Sequence, residues 1–189
     1  MKLKHFLLCV MGILIPTTVF SAEYYVVPGL RATGNDGSSW EKAITMYDIF
    51  ENDAAAAKND EVSKYKTGDV FFLAGGTYYN ATSPGSDAGR IYRGYIFVGG
   101  CDQSKGVVTE WPVYPSATPT IFSGDLDENG EPSAGDLRNL IHVRQARNDD
   151  AENLAHICKL IGIDFTCSYS PEGSTNASGA VYCTQGAIE

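Results

Sequence analysis

An apolar, strand-forming segment returns every 20 to 25 residues from Val70 onward, and that interval constrains what this chain can fold into. The segments are Val70-Phe71-Phe72-Leu73, Tyr95-Ile96-Phe97-Val98, Thr120-Ile121-Phe122, Leu140-Ile141-His142-Val143, Leu160-Ile161-Gly162-Ile163 and Ala180-Val181-Tyr182-Cys183. Measured at Phe71, Ile96, Ile121, Ile141, Ile161 and Val181, the steps are 25, 25, 20, 20 and 20. A β-sandwich turns back roughly every 8–12 residues, about half this interval. The spacing therefore predicts a solenoid, in which each turn buries its apolar face only by stacking on its neighbours.

The chain opens with a basic Met1-Lys2-Leu3-Lys4-His5, an apolar run from Phe6 to Phe20, and small residues at Ser21-Ala22. This is the three-part pattern of a secretory signal peptide, and the run is short for a membrane span. Cleavage is expected after Ser21 or Ala22, with secretion or display on the outer cell surface as the destination. Residues 1–22 are thus read as leader, 23–66 as an N-terminal cap and 67–189 as solenoid turns. The mature part keeps 167 of 189 residues, and losing Lys2 and Lys4 moves the net charge from −9 to −11. Such an excess excludes a nucleic-acid partner, whose phosphates demand basic patches. No second stretch is apolar enough to span a bilayer, and a monomer is expected.

Glu23-Tyr24-Tyr25-Val26-Val27 favours a strand that ends at Pro28-Gly29. An amphipathic helix is expected next, capped by Ser38 or Ser39 and continuing through Ala54 to Ala57. A strand and a helix placed there would close the open end of a solenoid. The final strand is followed by no cap signal, and the chain is read as the N-terminal portion of a longer solenoid. Cys101, Cys158, Cys167 and Cys183 remain in the mature part. Export permits disulfides, and a Cys167–Cys183 bridge fits adjacent turns. The reading favoured is four small buried hydrophobes, because scattered cysteines define no framework.

The run Tyr24-Tyr25-Val26 … Gly37-Ser38-Ser39-Trp40, then Gly68-Asp69-Val70-Phe71-Phe72-Leu73-Ala74-Gly75-Gly76-Thr77-Tyr78, resembles the cap and first turn of secreted right-handed parallel β-helix proteins of the pectin-lyase-like superfamily. Tyr95 to Gly100, Thr120 to Asp127 and Leu160 to Phe165 are similar to its following segments. Ser178-Gly179-Ala180-Val181-Tyr182 looks like a turn of polymorphic outer-membrane-protein-type repeats, although Ser168 stands where that repeat carries asparagine. The resemblance implies an all-β fold: a right-handed, single-stranded parallel β-helix with a strand-plus-helix cap. Phe71, Ile96, Ile121, Ile141 and Ile161 would then stack as one interior ladder. The superfamily holds lyases, hydrolases, adhesins and inert scaffolds alike; because long solenoid faces suit extended ligands, the function expected is an adhesin-like scaffold that binds polysaccharide or a cell-surface ligand. The alternative is a polysaccharide lyase or glycoside hydrolase whose catalytic groups lie on later turns.

Asp125 to Asp136 places oxygen-bearing side chains at loop positions 1, 3, 5, 9 and 12 and glycine at position 6. That is close to a calcium loop, with Asp125, Asp127, Asn129 and Asp136 as ligands. Asp136 is shorter than the usual glutamate and Pro132 breaks the pattern, so a solvated acidic turn is the plainer reading. Trp111 and Tyr114, in a loop between strands, are the aromatic residues expected to be exposed and are the candidates for stacking on sugar rings, with a structural role as the plainer reading. Candidate catalytic carboxylates are Asp125, Asp127, Asp149, Asp150 and Asp164; candidate bases are Arg138, Arg144, Arg147, Lys159 and His142. None forms a recognisable pair. His142, alternating with Ile141 and Val143, is expected on the surface. Asn80-Ala81-Thr82 and Asn176-Ala177-Ser178 fit the N-glycosylation pattern.

Overall fold

Val70 to Ala74 is apolar at every position and buried at every position, the signature of a parallel strand covered on both faces. The computed structural model describes residues 21–29, 34–55, 62–80, 89–144, 157–169, 180–184 and 187–188. Residues 1–20, which hold the apolar run from Phe6 to Phe20, and the Asn176 sequon lie outside them. The strands are β1 (Glu23–Val26), β2 (Val70–Ala74), β3 (Gly76–Tyr78), β4 (Arg90–Ile91), β5 (Ile96–Cys101), β6 (Thr120–Ser123), β7 (Ile141–Arg144), β8 (Ile157–Ile161), β9 (Ile163–Thr166), β10 (Val181–Thr184) and β11 (Ala187–Ile188). One helix, α1, spans Met46–Ala55.

Every strand pair among the described residues is parallel. A five-stranded sheet runs β1-β2-β5-β8-β11, and two three-stranded sheets run β3-β6-β9 and β4-β7-β10. From β2 onward the chain enters the three sheets in rotation. The expected all-β, closed β-helix is corrected: the described residues combine parallel sheets with a helix, and no closed solenoid forms among them. The 20-to-25-residue beat counts strands that belong to different sheets, so it is not the length of a coil. Within the large sheet, Val70 pairs with Ile96 but Ile96 pairs with Lys159, so the offsets are 26 and 63 residues.

The single ladder of Phe71, Ile96, Ile121, Ile141 and Ile161 does not form. Ile121 and Ile141 lie in the two smaller sheets. Ile96 and Ile161 lie on the opposite face of the large sheet from Phe71. In-register pairing instead aligns Tyr24, Phe71, Phe97 and Leu160 on one face, and Tyr25, Phe72, Val98 and Ile161 on the other. A one-residue shift in a strand exchanges its faces. The Tyr24, Phe71 and Phe97 rings stack at 5.3 and 5.2 Å.

Trp40–Lys42 forms one 3-10 turn rather than the start of a long helix. Ile44 then pairs with β1, donating its N–H to Tyr25 O and accepting from Val27 N, both at 2.9 Å. Those bonds outcompete an early helix, so α1 starts only after Thr45. Asp48 accepts from Thr45 N at 2.9 Å and Thr45 Oγ1 at 2.8 Å, a local cap. The buried stripe of α1 is Met46, Ile49, Phe50 and Asp53, at helical spacing.

Asp53 is a carboxylate where that stripe calls for an apolar side chain. It is fully buried and pairs with Arg93 Nη1 at 3.0 Å. It also accepts from Tyr92 N at 2.9 Å and from the Tyr95 hydroxyl. Burial raises its carboxyl above the ordinary range, while Tyr95, Tyr92 and Arg93 pull it back. The network fixes α1 beside β4, where Gly89 leaves room for the Phe50 ring.

The four cysteines among the described residues are free, so the Cys167–Cys183 bridge is absent. Cys101 and Cys158 are buried as expected, but Cys183 is exposed and Cys167 half-buried. Burial pushes the Cys101 and Cys158 thiols up to about 12. The thiolate is the reactive form, so raising pH to 8 should leave both inert. In a chain lacking residues 1–20, a native-state thiol-titration reagent should modify Cys183 fastest and Cys167 more slowly. Cys101 and Cys158 should react only on unfolding, and a rapid count of four thiols in the native protein would contradict this burial.

Candidate ligand groove and acidic loop

The segment between β5 and β6 begins with a tight turn. Asp102 accepts from Ser104 N at 3.0 Å and Ser104 Oγ at 2.7 Å, capping a 3-10 turn over Gln103–Lys105. Gly106 ends the turn with a φ of 73°, a left-handed conformation that favours glycine. The Trp40 indole N–H donates to Gly106 O at 2.7 Å, and the Tyr25 ring packs edge-on against Trp40 at 4.6 Å. Farther along, Ser116 Oγ and Thr118 Oγ1 donate to Gly100 O at 2.8 and 3.2 Å. The loop is therefore tied down at both ends.

Between those anchors the chain turns apolar side chains to solvent. Trp111 is 49 % exposed, Val113 85 % and Tyr114 59 %. A groove of about 430 Å³ runs along this loop, with Trp111, Val113, Lys105 and Glu110 in its wall. Tyr114 sits beside the groove and donates its hydroxyl to Asp164 Oδ1 at 2.6 Å. That bond, and then the charge of Asp164, raises the Tyr114 hydroxyl above its ordinary value. Both aromatic residues expected to be exposed are exposed. The anchor role of Trp40 escaped the sequence reading, which expected a helix from the Ser38 or Ser39 cap onward.

The acidic loop brings Asp125, Asp127 and Asp136 together, with one carboxylate oxygen from each lying within 4.8 Å of the others. Asp136 is fully buried and accepts from Ser133 N at 2.8 Å and Leu126 N at 3.2 Å. Asp125 accepts from Asn129 N and Gly130 N, both at 3.0 Å. Asp127 accepts from Ser133 Oγ at 2.7 Å and from the Asn129 amide at 3.1 Å. Asn129 turns its own carbonyl oxygen to Glu131 N at 2.7 Å. The three carboxylates fit a hard cation, since each oxygen has more than one acceptor site. Asn129 would have to give up its bond to Glu131 to join them.

Of the candidate catalytic groups among the described residues, Asp125 and Asp127 meet in the acidic loop, and the strand-borne ones are spread over three sheets. Asp164, on β9, is engaged by Tyr114, Lys159 lies on β8, and Arg144 and His142 lie on β7, three strands that belong to three different sheets. His142 is 5 % exposed, not the surface histidine expected, because the sheet carrying β7 is covered on both faces at that position. Arg138 is half-buried just before β7. Asp149, Asp150 and Arg147 lie outside the described residues. Asn80 is 8 % exposed and donates its amide to Leu140 O at 2.7 Å, so the folded chain withholds it from glycosylation. Compared with family models, with curated proteins and with solved structures, the chain matches none.

Proposed function

We propose that this chain is an exported binding module that takes a carbohydrate, free or on a cell surface, at the Trp111 groove. The observation that carries the reading is the anchored loop: its ends are fixed while Trp111 stands half-exposed along a polar-walled groove. An aromatic face beside hydrogen-bonding groups suits a pyranose ring, which has an apolar face and a polar rim. Among charged side chains the groove wall holds Lys105 against Asp102 and Glu110, within a strongly acidic chain. A neutral glycan fits that balance better than a polyanion. Titration of the purified protein with neutral oligosaccharides tests the reading, with Trp111→Ala as the control. Binding that survives Trp111→Ala unchanged would remove it.

The acidic loop is read as a calcium site that stiffens the β6–β7 connection. Asp125, Asp127 and Asp136 would supply hard oxygen ligands, and the cation would relieve their mutual repulsion. A ligand bound only by the folded state stabilises it by mass action. Millimolar calcium should raise the melting temperature by several degrees, and Asp127→Ala should abolish that gain. An unchanged melting curve with calcium would end this assignment.

A further inference from the structure

Of the two cleavage positions expected for the leader, after Ser21 or after Ala22, only the first keeps two hydrogen bonds that Ala22 makes in the folded chain. Ala22 N donates to Asp69 Oδ1 at 2.9 Å, and Ala22 O accepts from Val70 N at 2.9 Å. These bonds extend β1 by one residue along β2, where Glu23 pairs with Val70. Asp69 itself is 3 % exposed and takes Lys66 N on its other oxygen at 2.7 Å. Ser21 is exposed. Cleavage after Ala22 would leave the Asp69 oxygen and the Val70 N–H without these partners, and buried polar groups left unpaired are costly.

The residues before the two bonds discriminate in the same direction. Cleavage sites of exported proteins want small residues at the last and third-last positions of the leader. A cut after Ser21 places Ser21 and Val19 there, whereas a cut after Ala22 places Ala22 and the bulky Phe20. We infer that the mature chain begins at Ala22 and that its new α-ammonium pairs with the buried Asp69 carboxylate. A signal peptidase adds water across the Ser21–Ala22 amide. Ser21 leaves as the leader's carboxylate, and the Ala22 amine takes up a proton. An amide N–H on Asp69 thereby becomes a charged donor, which makes a stronger bond.

The inference rests on the export reading, and the test separates the two. The full chain is produced in a secreting host, and the exported protein is analysed by intact mass and N-terminal sequencing. An N-terminus at Ala22 is expected. An N-terminus at Glu23 or later overturns the inference and leaves export standing, while a chain retaining its leader overturns both. Melting of chains that begin at Ala22 and at Glu23, each with and without Asp69→Asn, supplies a second measurement. Asp69→Asn should lower the melting temperature more in the chain that begins at Ala22. Equal shifts in the two chains would contradict the pairing.

Discussion

Replacing Trp111 with alanine should weaken glycan binding roughly 30-fold or more while leaving the melting temperature nearly unchanged. A buried contact made by tryptophan at the centre of an interface typically contributes about 2 kcal/mol or more, and every 1.4 kcal/mol is about tenfold in affinity. Stability is spared because Trp111 is half-exposed and the loop is held elsewhere, by Trp40 on Gly106 and by Ser116 and Thr118 on Gly100. Surface substitutions of that kind usually change stability by about 0.5 kcal/mol or less. Trp111→Tyr should keep part of the affinity, since a ring face remains. Titration calorimetry and thermal melting on the same samples separate the two effects. A parallel fall in melting temperature would make Trp111 a structural residue instead.

Asp53→Ala should be among the most destabilising single changes in the chain, at about 3–5 kcal/mol. It strips the carboxylate from a fully buried ion pair, leaving the Arg93 guanidinium in an apolar interior without it, and removes the acceptor of Tyr92 N and the Tyr95 hydroxyl. For a domain of this size that corresponds to a drop in melting temperature on the order of 10 °C. The paired change Asp53→Leu with Arg93→Met should recover much of the loss, because an apolar replacement of both partners avoids the stranded charge. If Asp53→Ala melted like the parent, α1 would not be held by this network. Denaturant melts of the single and double variants make the comparison, since non-additivity measures the coupling directly.

The strand positions were legible because each apolar run is bounded by glycine, proline or charged residues, as at Lys66-Thr67-Gly68-Asp69 and Ser123-Gly124-Asp125. Which sheet each strand joins was not legible. Val70 to Ala74 is apolar throughout, so no alternation marks which face Phe71 takes, and a marker one residue off at Ile96 crosses to the other face. Ile121 and Ile141 repeat the beat from separate sheets, a distinction carried by the bends between strands and not by the strands themselves. The helix start was displaced because Ile44 pairs with β1, a long-range contact that no capping pattern reports. His142 and Asn80 looked like surface residues because polarity is a local property and burial is not.

At the candidate site the exposed aromatics were readable, since Trp111 and Tyr114 lie in a proline-bearing stretch without strand pattern. The bonds that make the site a groove were not. Trp40 reaches Gly106 across 66 positions, and Tyr114 reaches Asp164 across 50. The three aspartates of the acidic loop were found because their ligand spacing is local, and the fold brings them together within that one loop.

The most direct test of the carbohydrate reading is a crystal structure of the mature chain soaked with a neutral oligosaccharide. A pyranose ring is expected face-on against the Trp111 indole at van der Waals distance, about 4 Å, with its hydroxyls turned toward the polar wall of the groove. Sugar density at another surface, or an unoccupied Trp111 face at saturating sugar, would contradict that reading.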